Sequence, residues 1–147
     1  AFSTMRDFRE AASKPLALIF EDAQCEDCNE IHSTLFARDD VSEALSELTV
    51  VRIDAMSSEE IIDLDGNRTS PMEWAKKLKM TYRPGVILFD RDREIARIDN
   101  RLYSWHFNGF VKWVAGRHYE EFPDVYRYMA KLREEQLALG NNVSYVD

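Results

Sequence analysis

The feature that most constrains this chain is a pair of cysteines between an apolar segment and a stretch with helical periodicity. Residues 16–20 form a continuous apolar run, which is typical of a central strand covered on both faces. Cys25 and Cys28 follow after a short polar connection, and residues 29–37 carry apolar side chains at helical spacing. The order of strand, Cys-x-x-Cys and helix predicts an α/β fold with both sulfurs at the start of a helix.

The predicted position of the cysteines has a chemical consequence. Amide groups of the first helical turn and the positive end of the helix dipole stabilise a thiolate on Cys25. Cys28 lies one turn further on, near enough to form a short disulfide with Cys25. These are the only 2 cysteines of the chain, so they do not form a structural disulfide framework. The pair predicts thiol–disulfide exchange, with Cys25 as the nucleophile and Cys28 as the resolving thiol.

Composition excludes several other classes of function. A net charge of −8 disfavours nucleic-acid binding, which requires a basic surface to neutralise phosphates. No apolar run approaches the roughly 20 residues of a membrane span, so we expect a chain that is not membrane-embedded. The sequence begins at Ala1 without a charged and then apolar leader. We interpret this start as either a mature form after signal removal or a trimmed chain.

Local patterns predict the remaining elements and one domain over residues 1–139. Ser70, Pro71 and Glu73 have the types expected at the N-cap, first and third positions of a helix. The N-terminal helical segment covers residues 1–13, and the helix within it covers residues 4–12. The other predicted helices cover residues 40–48, 70–80, 104–116 and 123–139. The predicted strands cover 49–54, 85–89 and 94–98. A polar loop, or a loop with one helical turn, covers 55–69. A C-terminal helical extension covers 117–139, and a flexible tail covers 140–147.

Together these segments resemble the thioredoxin superfamily, and within it the SoxW-type periplasmic thioredoxin-related proteins. The resemblance extends over residues 14–132, and its C-terminal part resembles the extra helical segment of the SoxW-like group. The stretches that carry it are 16–20 before Cys25 and Cys28, then 50–54, 74–78, 82–90 with the hairpin that follows, 107–119 and 122–129. The resemblance implies a thioredoxin-like mixed sheet flanked by helices, with a C-terminal helical extension.

The resemblance also implies a function and a setting. It predicts a bacterial thiol–disulfide oxidoreductase that reduces disulfides of periplasmic protein or small-molecule substrates. It implies no bound cofactor beyond the redox-active disulfide Cys25–Cys28, and a membrane thiol transporter as a possible electron donor. Partners in sulfur oxidation or cytochrome maturation follow from the same likeness. The implied location is the periplasm, with the cytoplasm as the alternative.

The substrate site is likewise implied by the resemblance. Pro84 matches a family proline that has a cis peptide bond beside the cysteines and holds the backbone of the substrate. Gln24 and Arg83 then lie at the substrate-binding surface. This sequence departs from the family pattern at Gln24, which replaces a tryptophan, and at Gly85, which replaces a threonine.

Three acidic residues are expected to modulate the cysteines. Glu26 and Asp27 replace the Gly-Pro pair of thioredoxins and place negative charge beside the sulfurs, which destabilises the thiolate. A less stable thiolate favours the disulfide form and therefore a reducing protein, whereas Arg83 and the helix N-terminus act in the opposite direction. Ile19 stands where the family has a buried aspartate, so the candidate substitutes as proton acceptor are Glu21, Asp22 and solvent.

Three alternative functions stay open from the sequence. The first is a disulfide oxidase or isomerase of the same fold, and the second is a non-catalytic binding module in which the cysteines are idle. A zinc site is a third alternative, with His32 adding a ligand to the cysteines. The chain has no second cysteine pair that could complete such a zinc site, and the other histidines, His106 and His118, lie in the last third of the chain. We therefore predict no metal site.

Overall fold

A four-stranded mixed sheet lies at the centre of the fold, in a computed structural model that describes residues 1–147. The strands are β1 (Leu16–Glu21), β2 (Thr49–Asp54), β3 (Ile61–Ile62), β4 (Arg68–Thr69), β5 (Gly85–Asp90) and β6 (Arg93–Ile98). The α-helices are α1 (Glu26–Ser33), α2 (Asp39–Leu45), α3 (Pro71–Lys77), α4 (Ser104–Ala115) and α5 (Val125–Ala138). Single 3-10 turns cover Phe8–Ala11, Leu35–Ala37 and His118–Glu120.

The sheet has the order β2-β1-β5-β6, and helices cover both of its faces. β1 pairs parallel with β2 and antiparallel with β5, while β6 returns antiparallel to β5. All six residues of β1 are buried, and they alternate between two cores. Ala17 and Ile19 pack with α1, α2, α4 and α5, whereas Leu18 and Phe20 pack with α3 and the N-terminal segment. The predicted mixed α/β fold with helices on both faces is confirmed.

Strand direction brings three connections to one edge of the sheet. The C-terminal ends of the parallel strands β1 and β2 meet there, with Glu21 opposite Asp54. The antiparallel strand β5 begins at the same edge, with Gly85 opposite Phe20. The cysteine segment, the chain after β2 and the segment before β5 therefore converge, and this convergence positions the candidate site.

The N-terminal segment differs from the prediction. A helix over 4–12 was expected, but only the 3-10 turn Phe8–Ala11 forms. The residues before it are extended, because Asp7 forms a parallel bridge with Ile62 and the Ile62 amide donates to the Arg6 carbonyl at 2.7 Å. Pairing with β3 keeps these residues extended, although their amphipathic pattern predicts a helix. Phe8 is buried, as that pattern predicts.

The segment 55–69, predicted as a loop, contains the small antiparallel hairpin β3–β4. The turn predicted at 65–67 is present, and Gly66 adopts a φ of 83° that favours glycine. α3 begins as predicted, since the Ser70 hydroxyl accepts a hydrogen bond from the Glu73 amide. The helix ends at Lys77 rather than near Met80, and Lys79 then takes a left-handed conformation with φ 57°.

The C-terminal region packs against the sheet through α4 and α5. Arg117, in a left-handed conformation after α4, donates two hydrogen bonds to the carboxylate of Asp90 at the end of β5. α5 begins at Val125, two residues later than predicted, because Asp124 caps it by accepting from the Tyr126 amide. None of the helices has both the length and the apolar character required to cross a membrane.

The flexibility predicted for residues 140–147 stays a prediction, but one contact of this tail is defined. The Asp147 side chain accepts hydrogen bonds from the amide and the hydroxyl of Ser104, the first residue of α4. α4 otherwise lacks a side-chain cap, because its N-cap residue is Tyr103. The tail thus supplies the carboxylate that this helix N-terminus favours.

Candidate active site

The two cysteines form a disulfide at the N-terminus of α1, with their Cα atoms 5.2 Å apart. Cys25 is the N-cap residue, and its Sγ accepts a hydrogen bond from the Cys28 amide at 3.0 Å. Cys25 is partly exposed, whereas Cys28 is 2% exposed and faces the core. An amide directed at the outer sulfur stabilises negative charge on it when the disulfide opens.

The segment before β5 places Pro84 at the same edge of the sheet. The Arg83–Pro84 peptide bond is cis, as the sequence resemblance implied, and Pro84 is buried. Gly85 follows, and a Cβ atom there would lie 2.7 Å from the carbonyl oxygen of Tyr82. The close approach of this backbone segment explains why glycine stands where the family has a threonine.

Arg83 is half-buried and makes its hydrogen bonds to the backbone. Its Nη1 donates to the carbonyl oxygens of Met80 and Tyr82 at 2.7 and 3.0 Å. Burial lowers the pKa of Arg83, while the negative charge of Asp22 acts in the opposite direction. The Arg83 side chain therefore stabilises the turn before Pro84, in addition to any contact it makes with a substrate.

The other predicted residues around the disulfide are exposed. Glu26 and Asp27 lie in the first turn of α1, where carboxylates are stabilised by the helix dipole. Gln24 lies in the turn before Cys25, and its backbone amide donates a hydrogen bond to the Asp22 side chain at 2.9 Å. Gln24 also borders a surface cavity of about 380 Å³ whose rim includes the exposed Met56.

Glu21 is the buried carboxylate of the site. It is 1% exposed at the end of β1, and Arg52 of β2 donates to both of its oxygens at 2.9 and 3.1 Å. His32 Nε2 lies 2.9 Å from each of the same oxygens. Ile19, at the position of the family's buried aspartate, is a core residue. The buried carboxylate nearest the redox helix thus lies at the end of β1, between Arg52 and His32.

His32 was predicted to lie on the helix surface near the cysteines. The structure places it one turn after Cys28 with its side chain about one-third exposed, bonded to Glu21 and in edge contact with Phe36. No cluster of three or more His, Cys, Asp or Glu side chains has the geometry to hold a metal ion. The nitrogen that faces Glu21 is therefore not directed toward a set of metal ligands.

Sequence reasoning missed Arg52 as a partner of Glu21. In the parallel register Arg52 lies opposite Ile19, so its side chain is on the same face of the sheet as Glu21. Opposite charges at the ends of two predicted parallel strands are a signal for such a pair. The signal becomes specific only when the register between β1 and β2 is known.

Comparison with known proteins agrees with this geometry. The sequence profile of the thioredoxin-like domain matches residues 2–100, and comparison with curated proteins finds no match. A thioredoxin-fold protein from Helicobacter pylori superposes with a TM-score of 0.74 and 16% identity, over 94% of this chain and 92% of that chain.

Two further solved structures share the fold. A thioredoxin from Thermus thermophilus has a TM-score of 0.56 at 14% identity, over 76% of this chain and 88% of that chain. DsbH oxidoreductase has a TM-score of 0.56 at 16% identity, over 79% and 86% of the two chains. At these identities the structures establish the fold alone, while the profile covers most of the sequence. The chain belongs to the thioredoxin-like domain family.

Proposed function

We propose that the protein is a thiol–disulfide oxidoreductase that reduces disulfides of protein or small-molecule substrates. The observation that carries the proposal is the placement of Cys25 as the N-cap of α1, with the Cys28 amide donating to its Sγ at 3.0 Å. The fold and the Cys-x-x-Cys pair together support thiol–disulfide chemistry. The arrangement combines a reachable outer sulfur with a buried inner one, which is what two-step exchange requires.

The proposed reaction starts from the dithiol form. The Cys25 thiolate attacks one sulfur of the substrate disulfide, and the other substrate sulfur leaves as a thiolate. The Cys28 thiolate then attacks Cys25 Sγ, which breaks the mixed disulfide and releases the second substrate thiol. Two electrons pass to the substrate, and the protein ends as the Cys25–Cys28 disulfide.

The surrounding residues have proposed roles in this reaction. Gln24, directly before Cys25, and Arg83 and Pro84, in the segment before β5, are the proposed contacts for the substrate backbone. Glu21 holds a buried negative charge that modulates the thiols from the end of β1. His32, on the same helix as Cys28, connects that charge to the redox helix.

The direction of electron flow is proposed from charge. Glu26 and Asp27 are exposed within the Cys-x-x-Cys segment and make the reduced thiolate less favourable. The Cys28 amide and the helix dipole act in the opposite direction. Two carboxylates close to the sulfurs support a reducing protein over an oxidase or isomerase.

The physiological setting is proposed from the sequence resemblance to SoxW-type proteins. It comprises a bacterial periplasm and a membrane thiol transporter as the electron donor. Substrates in sulfur oxidation or cytochrome maturation belong to the same proposal.

A redox titration of the Cys25–Cys28 pair against thiol–disulfide buffers tests the proposed function. We expect a potential near or below about −250 mV, in the thioredoxin range. A value above roughly −180 mV would assign the protein as an oxidase or isomerase. A pair that fails to cycle would leave the non-catalytic binding module as the function.

A further inference from the structure

Cys28 must lose its thiol proton in the second step of the proposed reaction, because only a thiolate can attack Cys25. Cys28 is 2% exposed in the disulfide form, so water has little access to it. The hydrogen bond from the Cys28 amide is directed at the sulfur of Cys25 and therefore assists the outer thiol only. The second step accordingly needs a proton acceptor within the protein.

The carboxylate of Glu21 is fully engaged by two basic side chains. Arg52 donates to both of its oxygens, at 2.9 and 3.1 Å, and His32 Nε2 lies 2.9 Å from each of them. These four contacts occupy the roughly four lone-pair positions of a carboxylate. A thiol proton could reach Glu21 only by displacing one of these donors. Glu21 is therefore better suited to hold His32 in place than to take the proton itself.

The contact with Glu21 also determines which nitrogen of His32 is free. Because the carboxylate is an acceptor, Nε2 carries the hydrogen, and the neutral ring has its lone pair on Nδ1. Nδ1 makes no hydrogen bond with the protein, since the only hydrogen bonds of this ring are those of Nε2. One ring nitrogen is thus held by Glu21 while the other is available to accept a proton.

His32 follows Cys28 by four residues on α1, so the two side chains are neighbours on one face of the helix. Cβ atoms at this spacing are about 5–6 Å apart, and helical side chains lean toward the N-terminus, here toward the turn of Cys28. Phe36 packs edge-on against the His32 ring with centroids 5.2 Å apart, so the ring is held on two sides. When the disulfide opens, the Cys28 sulfur is free to turn toward this ring.

Few charged groups surround His32. Glu21 contacts the ring from β1, and Arg52 of β2 shares the Glu21 carboxylate. The contact from the 3-10 turn after α1 is the apolar Phe36. The other charged residues of α1 are all exposed, and they are Glu26, Asp27 and Glu30. The Glu21 carboxylate is therefore the charge in direct contact with the ring, and it stabilises an imidazolium.

We propose that His32 accepts the thiol proton of Cys28 in the second step, and that Glu21 and Arg52 orient His32 for this transfer. The Cys28 S–H bond breaks and its proton passes to Nδ1. The sulfur electron pair then forms the bond to Cys25, and the bond between Cys25 and the substrate sulfur breaks. The substrate leaves as a thiolate that takes a proton from water. The His32 ring, which is about one-third exposed, returns its proton to water.

This inference rests on the proposed function, because it assigns a residue to the second step of that reaction. The reduced protein is mixed with a peptide dimer joined by one disulfide and quenched rapidly in acid. Intact-mass spectrometry then measures the mixed disulfide and the oxidised protein separately. The amide of His32→Gln can still donate to Glu21 but takes up no proton. Its second step should be at least about tenfold slower than that of the wild type at pH 7, so the mixed disulfide should accumulate, while the first step should be unchanged.

The pH dependence distinguishes proton transfer from a structural role. Without a base, the second step should speed up about tenfold per pH unit as the pH approaches the value of about 8.5 at which a free cysteine ionises. The deficit of His32→Gln should therefore shrink toward pH 9. Imidazole added to His32→Ala should restore the second step, because removing a partly exposed ring leaves a space open to solvent. The control His106→Gln alters a partly exposed histidine of α4 and should match the wild type.

The outcomes separate the two proposals. If the wild type forms neither the mixed disulfide nor the oxidised protein, the proposed function fails. If the wild type reacts and His32→Gln resolves the mixed disulfide at the wild-type rate, the role of His32 alone is overturned. A deficit that is equal at every pH and is not restored by imidazole would indicate a structural role and would overturn it as well. The wild type alone gives a check that needs no variant, since a second step that speeds up about tenfold per pH unit above pH 7 would mean that Cys28 loses its proton to water.

Discussion

Nε2 of His32 lies 2.9 Å from both carboxylate oxygens of Glu21, and this contact connects the redox helix to the end of the central strand. Arg52 donates to the same two oxygens, so the carboxylate is an acceptor throughout and His32 Nε2 is the donor. His32 follows Cys28 by one turn of α1. A change at Glu21 is therefore transmitted to the helix that carries both cysteines.

Replacing Glu21 with glutamine should destabilise the protein by about 1–3 kcal/mol, because the NH2 group that replaces one carboxylate oxygen cannot accept a hydrogen bond and one Arg52 donor loses its partner. The cost stays below that of a fully buried pair, since Arg52 and His32 are each partly exposed. Urea unfolding of the oxidised protein measures the change.

Glu134→Gln is the matched control for Glu21→Gln, because Glu134 is exposed on α5. It should alter the free energy of unfolding by less than about 0.5 kcal/mol. Equal effects of the two variants would contradict the structural role assigned to Glu21.

Single cysteine variants should separate the two proposed roles. Cys25→Ser should abolish disulfide reduction, because the partly exposed sulfur at the start of α1 is lost. Cys28→Ser should form a mixed disulfide with substrate that is not resolved, which intact-mass spectrometry detects as an adduct. Normal turnover by Cys28→Ser would rule out the assigned order of attack.

Gly85→Ala should destabilise the protein by about 1–3 kcal/mol, because the new Cβ would meet the Tyr82 carbonyl and the backbone must move. The movement displaces Pro84, so the rate with peptide disulfides should fall as well. Thermal unfolding and the rate at which the reduced protein reduces a peptide disulfide report the two effects.

Gly140→Ala separates a steric effect from the general cost of replacing glycine. Gly140 has a φ of 83°, but a Cβ there meets no atom within 4 Å. Its cost should be about 1–2 kcal/mol, which is the cost of a left-handed conformation at alanine. A Gly85→Ala protein as stable as the wild type would show that close packing at Gly85 is not what excludes a side chain.

Stability should fall in acid through Asp90. Burial opposes ionisation of this carboxyl, but hydrogen bonds from Arg117 and Tyr119 outweigh burial and hold the pKa of Asp90 below its usual value. The folded-state pKa is thus lower than that of the unfolded chain. The stabilisation is fully present above the unfolded-state pKa of about 3.9, and is lost as the pH falls through the folded-state value.

Urea unfolding of the wild type and of Asp90→Asn between pH 7 and pH 3 tests this expectation. The stability difference between the two proteins should be largest above about pH 5 and should shrink below about pH 4. Asp7→Asn is a useful comparison, since the pKa of Asp7 is also lowered, chiefly by its hydrogen bond with Arg9, but at a partly exposed site. A stability difference for Asp90→Asn that is constant with pH would contradict the assignment.

Local signals were sufficient to predict much of the fold. The apolar run before Cys25 predicts β1, and Ser70, Pro71 and Glu73 predict the start of α3, because each signal acts within one turn or strand. The predicted N-terminal helix was wrong because residues 6 and 7 pair with β3, more than fifty positions away. No periodicity in residues 4–12 contains that information.

Some residues of the candidate site were likewise predictable from local sequence, while others depend on tertiary packing. The cysteines and the exposed Glu26 and Asp27 are apparent from one short segment. The partners of Glu21 depend on the register of β1 against β2 and on the rotation of α1 about its axis, which follow only from packing of the whole core. The contact between Glu30 and Arg101 joins residues 71 positions apart and was not predicted.

The burial of β1 on both faces and its pairing on both edges have a consequence for motion around the disulfide. Amide hydrogens of this strand can exchange with solvent only when the sheet opens on both sides, so they should be among the slowest to exchange in the protein. The connection between β6 and α4 has no such enclosure, since Arg101 and Tyr103 are exposed. The segment that carries both cysteines therefore begins at a strand whose amides should exchange slowly, while the β6–α4 connection should exchange faster.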